Sequence, residues 1–409
     1  MIYFFKLIQI LSKRNANMKK HKKLFALLMI ILLLPSKWSA QITLTKSKAE
    51  DKNEWELYLK GFIQTDYTVD FQDMKSIEGF AAQSITIPQR NIASSNFSVK
   101  QSQIGLGIKQ KNPKGDDNFS AYIEIDLYGP NRTTAPRFRQ GYIKWNKWLA
   151  GQTWSNFSDT EIFPNIFDFI GPDGLLFSRR MQVRYSTKIS SKEDLSFSLE
   201  DPNSPSISLP VDSLEWKKRA VIPTFTAMYR YGNEKDYIKA GALISPISYD
   251  MRYLPDEAYQ TKTMLGWGGM ISARRYITDK NSFRFQTSYG KGYATNNSDL
   301  NGEEYDAVPN PANRNILETL ALFNIVGMYE HWWNEEWSSV AYISYSSIGK
   351  KDYVPKDMAK NFQNAGLNIV FQPFKKLRMG VEGNYGRVKI FDGRQAYAWR
   401  IQASTALSF

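Results

Sequence analysis

From about residue 54 to its C-terminus the chain is patterned with a hydrophobic period of two, and no sustained 3.6-residue periodicity interrupts it. The last segment is the cleanest case: Trp399, Ile401, Ala403, Thr405, Leu407 and Phe409 alternate with Arg400, Gln402, Ser404, Ala406 and Ser408. Successive side chains of a strand point to opposite faces, so one face of this segment is apolar and the other mostly polar. The same holds for Phe283, Phe285, Thr287 and Tyr289 against Arg284, Gln286 and Ser288, and for Leu377, Met379, Val381, Gly383 and Tyr385 against Arg378, Gly380, Glu382 and Asn384. The pattern predicts about sixteen strands, near 54–67, 97–110, 118–128, 137–147, 148–154, 178–190, 193–201, 219–231, 236–245, 264–276, 282–292, 319–331, 336–347, 361–372, 375–388 and 395–409.

Such strands can face either a packed core or a lipid wall, and the N-terminus helps to decide. Starting at Met18, MKKHKKLFALLMIILLLPSKWSAQ has a basic stretch (Lys19, Lys20, Lys22, Lys23), an apolar run Leu24–Leu34, a Pro35 break and small residues Ser39 and Ala40. This is the layout of a secretory signal, and the apolar run is shorter than the roughly 20 residues of a permanent helical anchor. Residues 1–40 are therefore expected to be an N-terminal extension and signal peptide, with Met18 a candidate start and cleavage near Ala40. Residues 41–53 then form a short periplasmic N-terminal segment, and 54–409 the barrel. The first 40 residues carry eight basic and no acidic side chains, so their removal lowers the net charge from +13 to +5. A nucleic-acid reading of the basic composition largely disappears with them.

An even set of strands of roughly 9 to 13 residues behind a signal peptide, with short turns alternating with longer polar loops, predicts an all-β, transmembrane antiparallel β-barrel of the bacterial outer membrane. Closed barrels are the only β structures that satisfy every backbone group in lipid. A soluble sandwich would need inward faces packed on each other, whereas here the second face of strand after strand carries Arg, Lys, Glu or Gln. Trp145 and Trp148 flank one predicted turn, and Trp332, Trp333 and Trp337 surround another at Asn334 and Glu335, a placement suited to lipid headgroups. Phe409 ends the last alternating strand in the manner of the terminal signature that such barrels present to their insertion machinery. Cysteine is absent and histidine occurs only as His21 and His331, which excludes Cys-rich or His-rich zinc sites, thiol nucleophiles and CxxC redox pairs. Neither an enzyme activity nor a cofactor is expected.

Assigning the polar phase to the interior places Arg137, Arg139, Arg180, Arg184, Arg230, Arg274, Arg284, Arg378 and Arg400 in the lumen, opposed by Glu124, Asp126 and Glu382. Arginine outnumbers acid, which predicts a net positive aqueous path favouring small anionic solutes; guanidinium forks can pass a carboxylate or phosphate along. Glu124 and Asp126 lie one strand before Arg137 and Arg139, so some pairing is expected there. One segment breaks the alternation: GQTWSNFS at 151–158, then DTEIFPNIFDFIGPDGLLFSRR through Arg180. It is too long and apolar for a loop bathed in water. The expectation is a constriction loop folded into the barrel, involving Gln152 and Trp154 and presenting Asp159, Glu161, Asp168 and Asp173 beside the arginines; an outer loop capping a neighbouring subunit is the alternative.

At this segment GQTWSNFSD, followed by PNIFDFIGPDG and RRMQVRY, resembles the DcaP-like porins. LYLKGFIQTDYTVDF resembles their first strand, QSQIGLG their second and AYIEIDLYG, with Glu124 and Asp126, their third. The resemblance spans about residues 57–190. It implies a sixteen-stranded homotrimeric, arginine-lined channel for small anions such as dicarboxylates, with motif residues at Gln152, Trp154, Asp168, Arg180 and Arg184. Relatives often carry an N-terminal coiled coil, and Gln41–Asn53 has no heptads, so a trimer here would rest on the barrel wall.

Two other functions compete with a passive channel. An adhesin or receptor would bind a surface partner through long loops at about 202–218, 246–263 and 293–318. A hydrolase would use His331 with Ser338 or Ser339, although that histidine falls at a Trp-rich strand end where an interfacial role fits better. A plugged transporter is disfavoured, because no length remains for a plug beside a larger barrel.

Overall fold

The computed structural model describes residues 41–47, 54–111 and 117–409; the expected extension, signal peptide and cleavage point lie outside them. Twenty-one strands follow in order: β1 Ile42–Ser47, β2 Glu54–Asp70, β3 Ser94–Ser98, β4 Gln103–Lys111, β5 Asp117–Asp126, β6 Arg137–Trp145, β7 Trp148–Trp154, β8 Arg179–Lys188, β9 Glu193–Glu200, β10 Lys217–Arg219, β11 Thr224–Gly232, β12 Tyr237–Met251, β13 Gln260–Tyr276, β14 Ser282–Lys291, β15 Ala307–Asn310, β16 Ile316–Thr319, β17 Ala321–Trp332, β18 Trp337–Ile348, β19 Ala359–Phe374, β20 Leu377–Ile390 and β21 Gln395–Ser408. All but β15 and β16 belong to one continuous antiparallel sheet. β3 and β4 both pair with β2 as two halves of one interrupted wall strand, while β1 and β10 extend its rims, leaving a closed sixteen-strand barrel.

Closure runs from Phe62 opposite Ser408 to Asp70 opposite Arg400, and Gly61 and Phe409 exchange backbone bonds of 3.2 and 3.0 Å beneath it. The C-terminal phenylalanine is thus part of the seam. No backbone edge is left open along it, which is the condition for standing in hydrocarbon. The alternation sorts as a membrane wall requires. Ile63, Ile104, Ile123, Phe283, Ile343, Leu367, Trp399 and Ile401 are exposed on the outside, whereas Gln64, Asp66, Gln286, Asn364, Glu382 and Gln402 are buried on the inside. This inverts the arrangement of a water-soluble protein. Trp145 and Trp148, 62% and 51% exposed, face each other across the Asn146–Lys147 turn.

One end of the barrel is closed by short turns at 146–147, 189–192, 233–236, 277–281, 333–336 and 375–376. The other carries the long connections, and three of these, 71–93, 155–178 and 292–320, pack together against polar inner faces. Their apolar side chains form a core that the wall itself lacks: Phe80, Phe157, Leu176, Tyr293 and Leu300 meet Phe362, Val388 and Ala398, while Ile162, Ile166 and Leu175 rest on Val326, Met328 and Val340. Each such burial contributes about 1.5–3 kcal/mol, enough to hold a long connection off the solvent.

The loop expected at 246–263 is much shorter. β12 runs on to Met251 and β13 starts at Gln260, because above the apolar belt Tyr249 still turns inward and stacks on Trp216 at 5.7 Å. Likewise 202–218 ends in β10, paired to β12.

The seam holds a buried ion pair: Arg400 Nε and Nη2 donate to the two oxygens of Asp70 at 2.6 and 2.8 Å, and Nη2 also reaches the carbonyls of Ser76 and Ile77. Arg400 is 0% exposed. Removing one partner of such a pair strands a charge and costs about 3–5 kcal/mol. Asp70→Asn is expected to lower the temperature at which the folded barrel loses its compact mobility in gel electrophoresis, and an unchanged temperature would show that the seam does not depend on this pair.

Candidate functional site

Every arginine assigned to the interior by the alternation carries its side chain on the polar inner face, but most are already engaged. Arg137 donates to both oxygens of Asp126 at 3.0 and 2.6 Å, and Arg139 bridges Glu124 at 2.9 Å and Asp126 at 2.8 Å. Arg284 pairs with Glu330 at 2.5 Å and Arg230 with Glu161 at 3.0 Å. Arg180 is held by the backbone carbonyl of Thr295 at 2.7 Å, and Arg274 by the carbonyls of Lys235 and Glu161 at 2.8 and 2.9 Å. Glu382 is 0% exposed and makes no ion pair among the described residues; it accepts from the Phe167 amide at 2.9 Å and from Asn368 at 3.2 Å. These groups brace the wall and clamp the 155–178 segment.

Two of the assigned arginines lack a carboxylate partner among the described residues in a way that leaves them facing open volume. Arg378 donates only to the Asn165 side-chain oxygen at 2.7 Å and lies 4.6 Å from the Phe167 ring. Arg184 makes no hydrogen bond or ion pair at all among them. Arg179, next to the expected Arg180, stacks on Trp154 at 5.1 Å with no carboxylate in ion-pair contact among the described residues. Sequence reasoning passed it over because its position in the alternation is the outward one; at the first residue of β8 the wall has not yet begun, and the side chain turns along it.

The four acids of the 155–178 segment are engaged by the protein, although Asp168 lines the loop-side cavity and the Glu161 side chain stays 38% exposed. Asp159 is buried against Lys239 at 2.6 Å, Ser272 at 2.7 Å and Tyr237 at 2.9 Å, so its partner is a lysine. Glu161 is clasped by Arg230 and Lys239, which hold its carboxyl below the usual range against the opposing effect of burial. Asp168 accepts the amides of Phe80 at 2.8 Å, Ile170 at 2.9 Å and Gly171 at 3.0 Å, and burial pushes its pKa up to about 7. Asp173 accepts the Ala82 amide at 2.9 Å; burial and the adjacent Asp299 raise it well above the carboxylate range. Asp299 in turn accepts the Gly174 amide at 2.7 Å, and burial lifts it to about 6. These carboxyls therefore tie the three inward connections to each other through backbone amides.

Two larger chambers lie in the interior, beside a cavity of about 320 Å³ between Arg378 and the 375–376 turn. On the loop side a cavity of about 600 Å³ is lined by Arg137, Arg139, Arg179 and Arg378 together with Phe163, Phe169 and Phe177. On the turn side a cavity of about 1180 Å³ is lined by Lys60, Lys144, Lys188, Arg184, Tyr122 and Tyr142, among others. Trp154 lines both. Its ring lies 4.3 Å from Phe177, 5.1 Å from Arg179 and 6.0 Å from Arg139, and Gln152 fixes the strand below by donating to the Arg139 carbonyl at 3.0 Å. In the larger chamber the Tyr58, Tyr122 and Tyr142 rings run side by side across the wall, centroids 6.4 and 5.8 Å apart. They cross β4 at Gly105 and Gly107, where a Cβ would collide with the rings. None of the chamber lysines was singled out from the sequence, because lysines near strand ends also occur at membrane headgroups.

His331 stands opposite Ser339 across β17 and β18 but makes no hydrogen bond to Ser338 or Ser339 among the described residues: its ring packs on Trp333 at 4.4 Å and its Nδ1 lies 3.2 Å from the Tyr329 hydroxyl, while Ser339 accepts from Trp333.

A closed sixteen-strand barrel with an apolar exterior and a polar, loop-narrowed interior is the architecture of an outer-membrane porin. The profile of the DcaP outer membrane protein family matches residues 37–408, so the chain belongs to that family and its place is the bacterial outer membrane. Its fold is similar to that of the outer-membrane channel DcaP of Acinetobacter baumannii, with a TM-score of 0.73 at 23% identity over 90% of this chain and 100% of the other. It is also similar to OmpT of Vibrio cholerae, with a TM-score of 0.55 at 9% identity over 89% of this chain and 100% of that one. An anion-selective porin from Comamonas acidovorans gives 0.55 at 9% identity over 87% and 100%. No curated protein matches the chain significantly by sequence.

The buried loop carboxyls set a pH response. A carboxyl whose folded pKa lies above its unfolded value of about 4 contributes stability that is fully present below the unfolded value and is lost as pH rises through the folded one. For Asp299 and Asp168 that loss falls at about 6 to 7. Current noise in single channels is expected to rise as pH passes from 5 to 8, and Asp168→Asn to flatten the rise; noise independent of pH in the parent channel would refute the assignment.

Proposed function

We propose that this channel is a passive porin that prefers small hydrophilic anions, carboxylates and dicarboxylates among them. The observation that carries this reading is the asymmetry of uncompensated charge along the two chambers. Arg179, Arg184 and Arg378 face the open volume without a carboxylate partner among the described residues, whereas the acids of the 155–178 segment are paired or sealed behind backbone amides. An anion entering from the loop side meets guanidinium groups next to aromatic faces, which substitute for part of its hydration shell. The one acid lining the same cavity among the described residues, Asp168, has its oxygens engaged by the amides of Phe80, Ile170 and Gly171. The 155–178 segment, with Trp154 at the junction of the chambers, is the constriction in this reading. No catalytic step is involved, and transport follows the solute gradient.

The test is the reversal potential of the purified protein in planar bilayers under a KCl gradient. A unit charge about 8 Å from the ion path contributes on the order of 0.5 kcal/mol in water. Converting Arg179, Arg184 and Arg378 to Gln is therefore expected to lower the chloride-to-potassium permeability ratio roughly threefold to tenfold. Potassium preference in the parent protein, or a ratio untouched by the triple change, would sink the proposal.

A further inference from the structure

We infer that the turn-side chamber is a separate binding station for multiply charged phosphate groups, distinct from the arginine-and-aromatic chamber above it. The inference rests on the anion-preferring reading and specifies one of its two sites. The two chambers share Trp154 but differ in chemistry. The upper one offers guanidinium forks beside phenylalanine rings, a lining matched to flat, delocalised anions. The lower one offers lysines and hydroxyls.

Arg184 is the central observation. It lies in the interior with no hydrogen bond or ion pair among the described residues, directly lining a cavity of about 1180 Å³. Its guanidinium is half-buried and feels Glu200 only at a distance, so its donors are free to take an anion from the chamber. Lys144 and Lys188, from the neighbouring strands β6 and β8, line the same volume, and neither has a carboxylate within ion-pair distance among the described residues. Lys60 enters from β2 and lies 4.3 Å from the Tyr122 ring centroid, which holds its ammonium over the chamber without neutralising it. The lining acid Asp194 sits 3.9 Å from Arg230. Four cations without an ion-pair contact among the described residues, against the one lining acid Asp194 opposite Lys188, call for a ligand with more than one negative charge. Ammonium groups are compact point charges on flexible stems, suited to the tetrahedral oxygens of phosphate rather than to the planar fork of a single carboxylate. Hydroxyls of Thr160 and Ser186 on the same lining supply the neutral donors that phosphate oxygens also accept.

The experiment is block of single-channel current by inorganic pyrophosphate, added to one side of the bilayer and then to the other, with succinate as the carboxylate comparison and glycerol phosphate as the ester. The expected result is a flickering block by pyrophosphate that is stronger from the side of the short turns, with a weaker block by succinate. Block by glycerol phosphate as well would assign the site to phosphate esters as well as to free phosphate. Lys144→Gln, Arg184→Gln and Lys188→Gln together are expected to weaken the pyrophosphate block about tenfold, the scale set by losing charge-assisted contacts. Should the triple variant fail to insert, Lys188→Gln alone, at the exposed end of β8, is expected to weaken it about threefold. Block that is equal from both sides, or unchanged in these variants, overturns the assignment. Chloride preference without any pyrophosphate block would overturn the phosphate station and leave the anion-preferring reading standing. Potassium preference with a sided block retained would do the reverse.

Discussion

A strand in hydrocarbon has no water to satisfy its backbone, and that constraint organises everything else in this molecule. Each N–H and C=O of the wall needs a neighbouring strand, so the sheet closes on itself, with Gly61 bonded to Phe409 and Asp70 opposite Arg400 at the seam. Closure then divides the side chains by parity. Outward positions meet lipid and are apolar; inward positions meet water, loops or each other and are polar. The usual soluble core cannot form in the wall, and the inward connections supply one instead, through Phe80, Phe157, Leu176 and Tyr293.

Those connections hold the passage open and narrow it at once. Their apolar faces pack on the wall, and their carboxyls, Asp168 and Asp173 above all, spend their hydrogen bonds on backbone amides of another connection. These acids are thereby engaged within the protein, whereas Arg179, Arg184 and Arg378 have no carboxylate within ion-pair distance among the described residues. Charges of the same residue type thus differ in their partners. Arg139 and Arg184 point inward from β6 and β8, which flank β7, yet one is saturated by Glu124 and Asp126 and the other makes no hydrogen bond or ion pair among the described residues.

Much of the wall was legible because it depends on a local rule. Parity along each strand was enough to place Arg284, Glu382 and Arg400 inside and Phe283, Val381 and Trp399 outside. The pairing of Arg137 and Arg139 with Asp126 and Glu124 was legible for the same reason, since the two strands are consecutive. The rule failed where a strand had not begun or did not stop. Arg179 turned into the passage from the first residue of β8, and β12 continued to Met251 beyond the apolar belt because Trp216 gave Tyr249 something to stack on.

The sequence by itself determined the closed β-barrel, its polar interior and the presence of one connection too apolar to stay in water, because period-two alternation and the demands of a lipid-facing backbone admit few other solutions. Only the tertiary structure decided which charges remain available. Phe167 finds Glu382 across 215 residues of chain, and Asp168 finds the Phe80 amide across 88. Contacts of that separation leave no periodic trace in a sequence: they depend on the register of many strands together, and it is they that engage the acids and leave a few cations without an ion-pair contact among the described residues.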